Sequence, residues 1–148
     1  MTWYADLSNA CMAEEGEHVR AIGWLSDKHP FPTGESPPEF LARLKEFCQH
    51  WQEGVKALCT VIFMGVHFCE LCDEQAASGN IGVPAGPILY VAPELIAHYV
   101  EAHQYLPPAE FIVAVMNAPI PGTPEYVDAV APFRTASLTR LSKMQTMG

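Results

Sequence analysis

Basic residues are scarce in this sequence. Eight lysines and arginines stand against 17 aspartates and glutamates, which gives a formal net charge of −9. A chain this acidic repels the phosphate backbone of nucleic acids, so DNA and RNA are excluded as expected partners. The one basic stretch is the end of the chain, which carries Arg134, Arg140 and Lys143 without an acidic neighbour. Three charges form too weak a patch to change that expectation.

Long apolar segments are missing as well. The longest apolar run, residues 61–68, covers less than half of the roughly 20 residues that a membrane-spanning helix needs. The first six residues contain neither the basic region nor the apolar region of a signal peptide. The sequence therefore predicts a soluble cytoplasmic protein with no membrane partner.

The cysteines do not form a disulfide framework. There are five of them, an odd number, and the cytoplasm keeps thiols reduced. Thiols that lie close together in the sequence are therefore interpreted as metal ligands or catalytic groups.

The length and composition are those of one globular domain. Hydrophobic residues make up 49% of the 148 residues and charged residues 17%, whereas a disordered chain is poorer in apolar residues. A chain of this size buries roughly 68–70% of the surface of its unfolded form, which suffices for a core. We predict a single domain over residues 1–148, with residues 134–148 as a tail that is expected to be frayed.

The clearest helix signal begins at Ser36. Ser36 is placed to cap the helix, Pro37 to occupy its first position and Glu39 to reach back to the cap. Apolar residues then recur at intervals of three and four up to Trp51, which predicts an amphipathic helix. Cys48 belongs to the apolar face and is interpreted as a core thiol.

The remaining segments are short and are separated by turn residues. Further helices are predicted over residues 12–22, from Pro93, after Pro107 and over residues 123–130, where Pro132 ends the last one. Strands are predicted over residues 3–7, 60–64, 80–83 and 87–91, the last two as a hairpin. The predicted fold class is α+β, with a small antiparallel sheet and about four or five helices.

Two groups of potential metal ligands lie about 25 residues apart. Cys69 and Cys72 form a C-x2-C motif, and His98 and His103 form H-x4-H. Two cysteines at this spacing place both sulfurs on one ion because a tight turn joins them, and imidazole nitrogens commonly complete a tetrahedral zinc site. His67 is a fifth candidate ligand. The sequence predicts a zinc knuckle followed by a helix that carries the remaining ligands.

The spacing of the two histidines leaves alternatives open. Residues five apart on a regular α-helix point about 140° away from each other, so both imidazoles cannot reach one ion from a regular helix. Either the helix distorts near its C-terminal end, or one histidine binds and His67 supplies the fourth donor. The candidates rank in the order Cys69 and Cys72, His103, His98 and His67. Glu94 and Glu101 are placed to orient a ligating imidazole.

Other chemistry finds less support in the sequence. The ligand types resemble those of cytidine deaminases, but H-x-C replaces H-x-E and no proline precedes Cys69. There is no H-E-x-x-H, no G-x-S-x-G and no phosphate-binding glycine loop. A thiol redox function for Cys69 and Cys72 requires a metal-free site, and the expected context of a βαβ unit is missing.

Several longer motifs carry a resemblance to a known family. They are TWYADL at residues 2–7, GxHxCELC at residues 65–72 and YVAPELIxHYxxxHxYxPP at residues 90–108. Over the chain up to about Ala118, the sequence resembles an uncharacterised family of small bacterial proteins. The resemblance implies that the five candidate ligands form one motif set, with four neighbours at Tyr90, Glu94, Tyr99 and Tyr105, and it names no activity.

These observations give one leading hypothesis and two alternatives. The leading hypothesis is a small cytoplasmic protein with a structural zinc site that works by binding another protein. The first alternative is a zinc-dependent hydrolase or deaminase-like enzyme that uses His67 or Glu94 beside an open metal position. The second is a redox protein that uses Cys69 and Cys72. The sequence leaves the oligomeric state and the identity of the partner open.

Overall fold

The computed structural model describes residues 3–11, 16–58 and 66–134. In these residues the strands are β1 (Val19–Ala21), β2 (His67–Phe68), β3 (Ala76–Ala77), β4 (Asn80–Ala85) and β5 (Ile88–Pro93). The helices are α1 (Pro38–Gln49), α2 (Trp51–Leu58), α3 (Ile96–His103), α4 (Ala109–Asn117) and α5 (residues 124–134). The α+β class and the number of helices agree with the prediction from the sequence. The predicted strand over residues 60–64 and nearly all of the predicted tail lie outside the described residues.

The hairpin of β4 and β5 is the centre of the main sheet. The two strands pair antiparallel from Asn80 opposite Pro93 to Ala85 opposite Ile88. Both strands are longer than predicted, and a turn of two residues, Gly86 and Pro87, joins them. Gly86 has φ of 60°, a conformation that glycine adopts without steric cost.

The third strand of this sheet corrects the prediction at the N-terminal end of the chain. In the order β1-β5-β4, strand β1 pairs parallel with β5, with Val19 opposite Leu89, so the sheet is mixed and not purely antiparallel. The helix predicted over residues 12–22 is therefore wrong at its C-terminal end. Residues 3–7, predicted as a strand, form an irregular segment. A hydrogen bond from the Leu7 amide to the Ala21 carbonyl (2.7 Å) holds this segment to β1.

Helix α1 begins one residue later than predicted. Its N-cap is Pro37, which makes no side-chain capping bond, so the capping motif of Ser36 and Glu39 does not form as predicted. Pro38 takes the first helical position, where the missing amide of proline has no helical partner to lose. The helix is interrupted at His50, and a second helix, α2, begins at Trp51. The sequence predicted one helix that ends near Trp51.

Helix α5 continues beyond Pro132, which was predicted to end it. Proline removes one backbone hydrogen bond from a helix. Val130 and Phe133, on either side of it, are 0% and 3% exposed, so the burial of this face offsets that loss. Among the described residues, none of the helices combines the length and the apolar character that crossing a membrane requires.

The core lies between the main sheet and the helices that cover it. Trp24 is buried and donates from Nε1 to the Val91 carbonyl (3.0 Å), which joins the segment after β1 to β5. Phe111 of α4 packs edge-to-face against Phe40 of α1 and against Tyr90 of β5. This packing joins α1 and α4 to β5, and α3 begins three residues after that strand ends.

Candidate metal centre

Cys69 and Cys72 lie in a turn that joins the two shortest strands. β2 and β3 pair antiparallel, with Phe68 opposite Ala76, and the Cys69 amide donates to the Gln75 carbonyl (2.9 Å). The Asp73 amide donates to the Cys69 carbonyl (2.8 Å), which closes the turn over both cysteines. Asp73 has φ of 59°, a left-handed conformation that aspartate tolerates better than most residues. We name β2, the turn and β3 (residues 66–77) the knuckle ribbon.

His98 and His103 lie on α3, which ends in a widened turn. The amide of Gln104 donates to the Tyr99 carbonyl, five residues earlier, and the amide of Tyr105 donates to the same carbonyl (3.1 Å). A regular α-helix bonds to the residue four positions earlier. A wider turn holds more residues, so positions five apart point in more similar directions. This distortion at the C-terminal end is the first of the two alternatives that the sequence left open.

Two sulfur–nitrogen separations in this group match those on a zinc tetrahedron. Cys69 Sγ lies 3.5 Å from His103 Nε2, and Cys72 Sγ lies 3.4 Å from His98 Nε2. All four atoms lie within 4.8 Å of one another. Zinc binds sulfur at about 2.3 Å and nitrogen at about 2.0–2.1 Å, which puts sulfur and nitrogen about 3.5 Å apart on a tetrahedron. The two imidazole rings stand nearly perpendicular, at 83°, with centroids 5.0 Å apart.

The structure thus brings together four of the five ligands predicted from the sequence, and these four side chains can hold a metal ion. His67 is not in this group. It lies on β2 opposite Ala77, before the chain turns at Cys69, and is half-buried. Its place two residues before a ligand made it a candidate, but spacing alone does not reveal that the strand ends between the two residues.

Burial differs across the site. Cys69 is fully buried, whereas Cys72, His98 and His103 are half-buried, so the site has one wall in the core and one toward solvent. Burial raises the pKa of the Cys69 thiol. Burial also lowers the pKa of His98, His103 lowers it further, and Glu74 and Glu101 act in the opposite direction. Because a bound cation favours the thiolate, it would reverse the effect of burial on Cys69.

A buried tyrosine lies beneath the ligands. Tyr99 is 1% exposed, and burial raises the pKa of its phenol, as do the charges of Cys69, Glu70 and Cys72. Tyr99 also supplies the carbonyl that accepts both bonds of the widened turn. Its backbone shapes the helix end, and its ring packs at a tilt against that of His98, with centroids 6.1 Å apart. The sequence pointed to Tyr99 through its position between the two histidines and through the family resemblance, which implied it as a neighbour of the ligands.

The two glutamates expected to orient a histidine have other partners. Glu94 accepts a hydrogen bond from the Gly79 amide (3.2 Å), and its own amide donates to the Gly79 carbonyl (2.8 Å). It therefore joins the start of β4 to the end of β5. Glu101 forms an ion pair with Lys45 of α1, which anchors the exposed side of α3.

A second contact anchors the knuckle ribbon from outside. The carboxylate of Glu70 accepts a hydrogen bond from the Asp27 amide (3.3 Å), which holds the loop after Trp24 against the turn.

A third anchor involves Tyr105, which is fully buried and donates a hydrogen bond to one carboxylate oxygen of Asp6 (2.7 Å). The other oxygen of Asp6 accepts a hydrogen bond from the Gly23 amide (3.0 Å). The N-terminal segment is thereby fixed to the residues that follow α3.

Comparison with known proteins identifies a family for this chain. Residues 2–116 match the model of a family described as a domain of unknown function (DUF7919), and this range contains all four ligands. No curated protein matches the chain. No solved structure matches it either.

Proposed function

We propose that this chain, which belongs to the family of domains of unknown function DUF7919, is a zinc-stabilised protein-interaction module of the bacterial cytoplasm. Zinc binds Cys69, Cys72, His98 and His103, and its role is structural. The observation that carries this proposal is the pair of sulfur–nitrogen distances, 3.4 and 3.5 Å, which match two edges of a zinc tetrahedron.

The choice of zinc follows from the donor set. Two sulfur and two nitrogen donors in a tetrahedral arrangement are typical of zinc, whereas magnesium and calcium take oxygen ligands. In the cytoplasm thiols stay reduced, so both cysteines remain available to the ion. The resemblance to small bacterial proteins supports the same compartment.

The number of donors supports a structural role. A catalytic zinc keeps three protein ligands and an open position for water, whereas four protein donors close the coordination sphere. The ion would join the knuckle ribbon to α3, two segments that are separated by the β4–β5 hairpin. Metal binding between such segments contributes directly to the free energy of folding.

The two alternatives require changes at this site. A hydrolase or deaminase needs one ligand to leave and an acid or base beside the open position, but Glu94 is bonded to Gly79 and His67 lies outside the group. A thiol redox protein needs both cysteines free of metal. We therefore place the function in binding, with the acidic surface as the feature that selects the partner.

The test is the zinc content of untagged protein, measured by mass spectrometry together with thermal unfolding. We expect about one zinc per wild-type chain, consistent with a single four-donor site. Cys69→Ser, Cys72→Ser, His98→Ala and His103→Ala should each lose the metal and unfold at lower temperature. His67→Ala is the matched control, because it removes a nearby imidazole that lies outside the group, and it should retain zinc.

Three outcomes would contradict the proposal. Loss of zinc in His67→Ala but not in His98→Ala would show that His67, and not His98, is the ligand. If a chelator removes the zinc without changing the unfolding temperature, the zinc does not stabilise the fold. Wild-type protein that holds no metal, purified under reducing conditions with zinc present, would favour the thiol interpretation.

A further inference from the structure

One face of the knuckle ribbon presents apolar side chains to solvent beside the metal centre. Val66 is 60% exposed and Phe68 is 58% exposed, although both belong to residue types that normally lie in a core. Val66 directly precedes β2, Phe68 is the last residue of β2, and Ala76, directly opposite Phe68, is also exposed. These three residues, Val66, Phe68 and Ala76, form what we name the ribbon face.

Acidic residues border this face. Glu70, Asp73 and Glu74 lie in the turn that joins the two strands, and the sequence has no lysine or arginine from Val66 to Pro93. Asp73 and Glu74 are exposed. Exposed apolar side chains with a charged rim are typical of surfaces that bind other proteins.

A bound zinc ion would not neutralise this rim. Two thiolates cancel the two positive charges of the ion, so a Cys2His2 site is formally neutral. The carboxylates of the turn therefore keep their negative potential in the metal-bound protein. That potential determines the charge of the partner.

We propose that the ribbon face binds an extended, basic segment of another protein, in which apolar side chains alternate with lysine or arginine. The apolar side chains contact Phe68 and Val66, and the basic ones meet the exposed carboxylates of Asp73 and Glu74. Alternation by two matches the spacing of Val66 and Phe68 along the chain. The proposal rests on the proposed function, because the zinc ion holds the ribbon against α3.

Charge excludes three other occupants. A second copy of the chain would place one acidic rim against another, since the net charge of each chain is −9. Anionic lipid headgroups and nucleic acid phosphates carry the same sign as the rim and are repelled in the same way. A basic protein segment is the occupant that satisfies both the apolar face and the rim.

The test uses a synthetic peptide in which arginine alternates with leucine or phenylalanine. The peptide is added to the isotope-labelled, zinc-loaded wild-type protein at about 150 mM salt, where the screening length is about 8 Å. We expect saturable shifts of backbone resonances in residues 66–77. Two comparison peptides, one with glutamate in place of arginine and one with serine in place of the apolar residues, should bind at least about tenfold more weakly.

Matched variants separate this face from general attraction to an acidic protein. Phe68→Ser should weaken binding at least about fivefold, whereas Val113→Ser, which changes an equally exposed residue on α4, should not. The double variant Asp73→Asn with Glu74→Gln should weaken binding more than Glu125→Gln with Asp128→Asn. Both double variants remove two exposed acidic charges, so only position distinguishes them.

The outcomes are separable from those of the zinc test. Shifts spread over the whole surface, equal losses in both double variants, or no saturation would overturn the proposed partner while leaving the zinc site intact. Shifts confined to residues 66–77 in a protein that contains no zinc would contradict the proposed function and retain the binding face. Zinc content is measured for each variant, so loss of the site is not mistaken for loss of the face.

Discussion

The amide of Gln104 donates its hydrogen bond to the carbonyl of Tyr99 and not to that of Val100, which a regular α-helix would use. This wider hydrogen bond ends the helix in which two histidines five positions apart approach the same point. The cost is local, because Gln104 has φ of 53°, in the left-handed region where side chains are strained.

The strain at Gln104 gives the first prediction. Gln104→Gly should stabilise the zinc-loaded protein by about 1 kcal/mol, because glycine adopts the left-handed conformation without a steric penalty. Denaturant unfolding of the loaded protein measures this difference. Gln104→Ala is the control, since alanine keeps a Cβ and should change stability little. A stability of Gln104→Gly at or below that of Gln104→Ala would show that the turn is not strained.

The second prediction concerns the contact between Gly79 and Trp51. A Cβ built on Gly79 would lie 2.3 Å from Cδ2 of the indole of Trp51, so Gly79→Ala forces the ring or the strand to move. Overpacking of this kind costs about 1–3 kcal/mol. In a Trp51→Ala background the same substitution should cost less than about 0.5 kcal/mol, because the clash is gone. Equal costs in both backgrounds would locate the effect in the backbone bonds between Gly79 and Glu94.

The third prediction concerns the thiol of Cys48. Cys48 is 8% exposed, and burial raises its pKa to about 12, with Glu94 acting in the same direction and the Ala97 backbone in the opposite one. Because the thiolate is the reactive form, native Cys48 should react with iodoacetamide at pH 8 at least about a hundredfold more slowly than in unfolded protein. Mass spectrometry of the peptide that contains Cys48 measures both rates. Comparable rates would mean that α1 opens readily in the native protein.

The fourth prediction concerns alkaline pH and the pair of Tyr90 and Glu110. Burial raises the pKa of Tyr90 to about 12, and its hydroxyl, which donates to the Glu110 carboxylate (2.7 Å), contributes in the same direction. The unfolded chain ionises tyrosine near pH 10, so the stabilisation is fully present below about pH 10 and is lost as pH rises toward 12. We expect the free energy of unfolding of wild type to fall across this window.

The matched variant for this window is Tyr90→Phe. It removes one titrating group, so its stability should fall less steeply, by up to about 1.4 kcal/mol per pH unit, than that of wild type. Denaturant unfolding at several values between pH 9 and pH 12 measures the two slopes. Parallel slopes would assign the alkaline loss to the other buried tyrosines.

The sequence predicted those parts of the fold whose signals are local. Helix α1 has an apolar repeat at three and four, and the β4–β5 hairpin has glycine and proline between two short, mostly buried strands. The four ligands were identifiable because they are defined by side-chain chemistry, which does not depend on the exact bounds of an element. The widened turn of α3 was one of two alternatives, and only the backbone geometry decides between them.

The parts that were missed depend on distant partners. Val19–Ala21 is only three residues long, and the spacing of three between Val19 and Ile22 is that of a helix. Its partner β5 follows about 70 residues later, and a parallel pairing over that distance leaves no local pattern. His67 lies outside the four-residue group for a related reason, because the short pairing of β2 with β3 depends on a partner strand that follows later in the chain.

The pairing of β4 with β5 also shortens the effective loop between Cys72 and His98, which a metal ion would close. Asn80 and Pro93 face each other directly, so the chain between them leaves and returns to the same place. In polymer terms this roughly halves the length of loop between Cys72 and His98, which lowers the entropic cost of closing it by about 0.6 kcal/mol. The turn at Gly86 and Pro87 can therefore grow or shrink by whole pairs of residues without moving a ligand. The number of residues between the C-x2-C and H-x4-H motifs therefore reflects the length of the hairpin. Metal binding does not constrain that length.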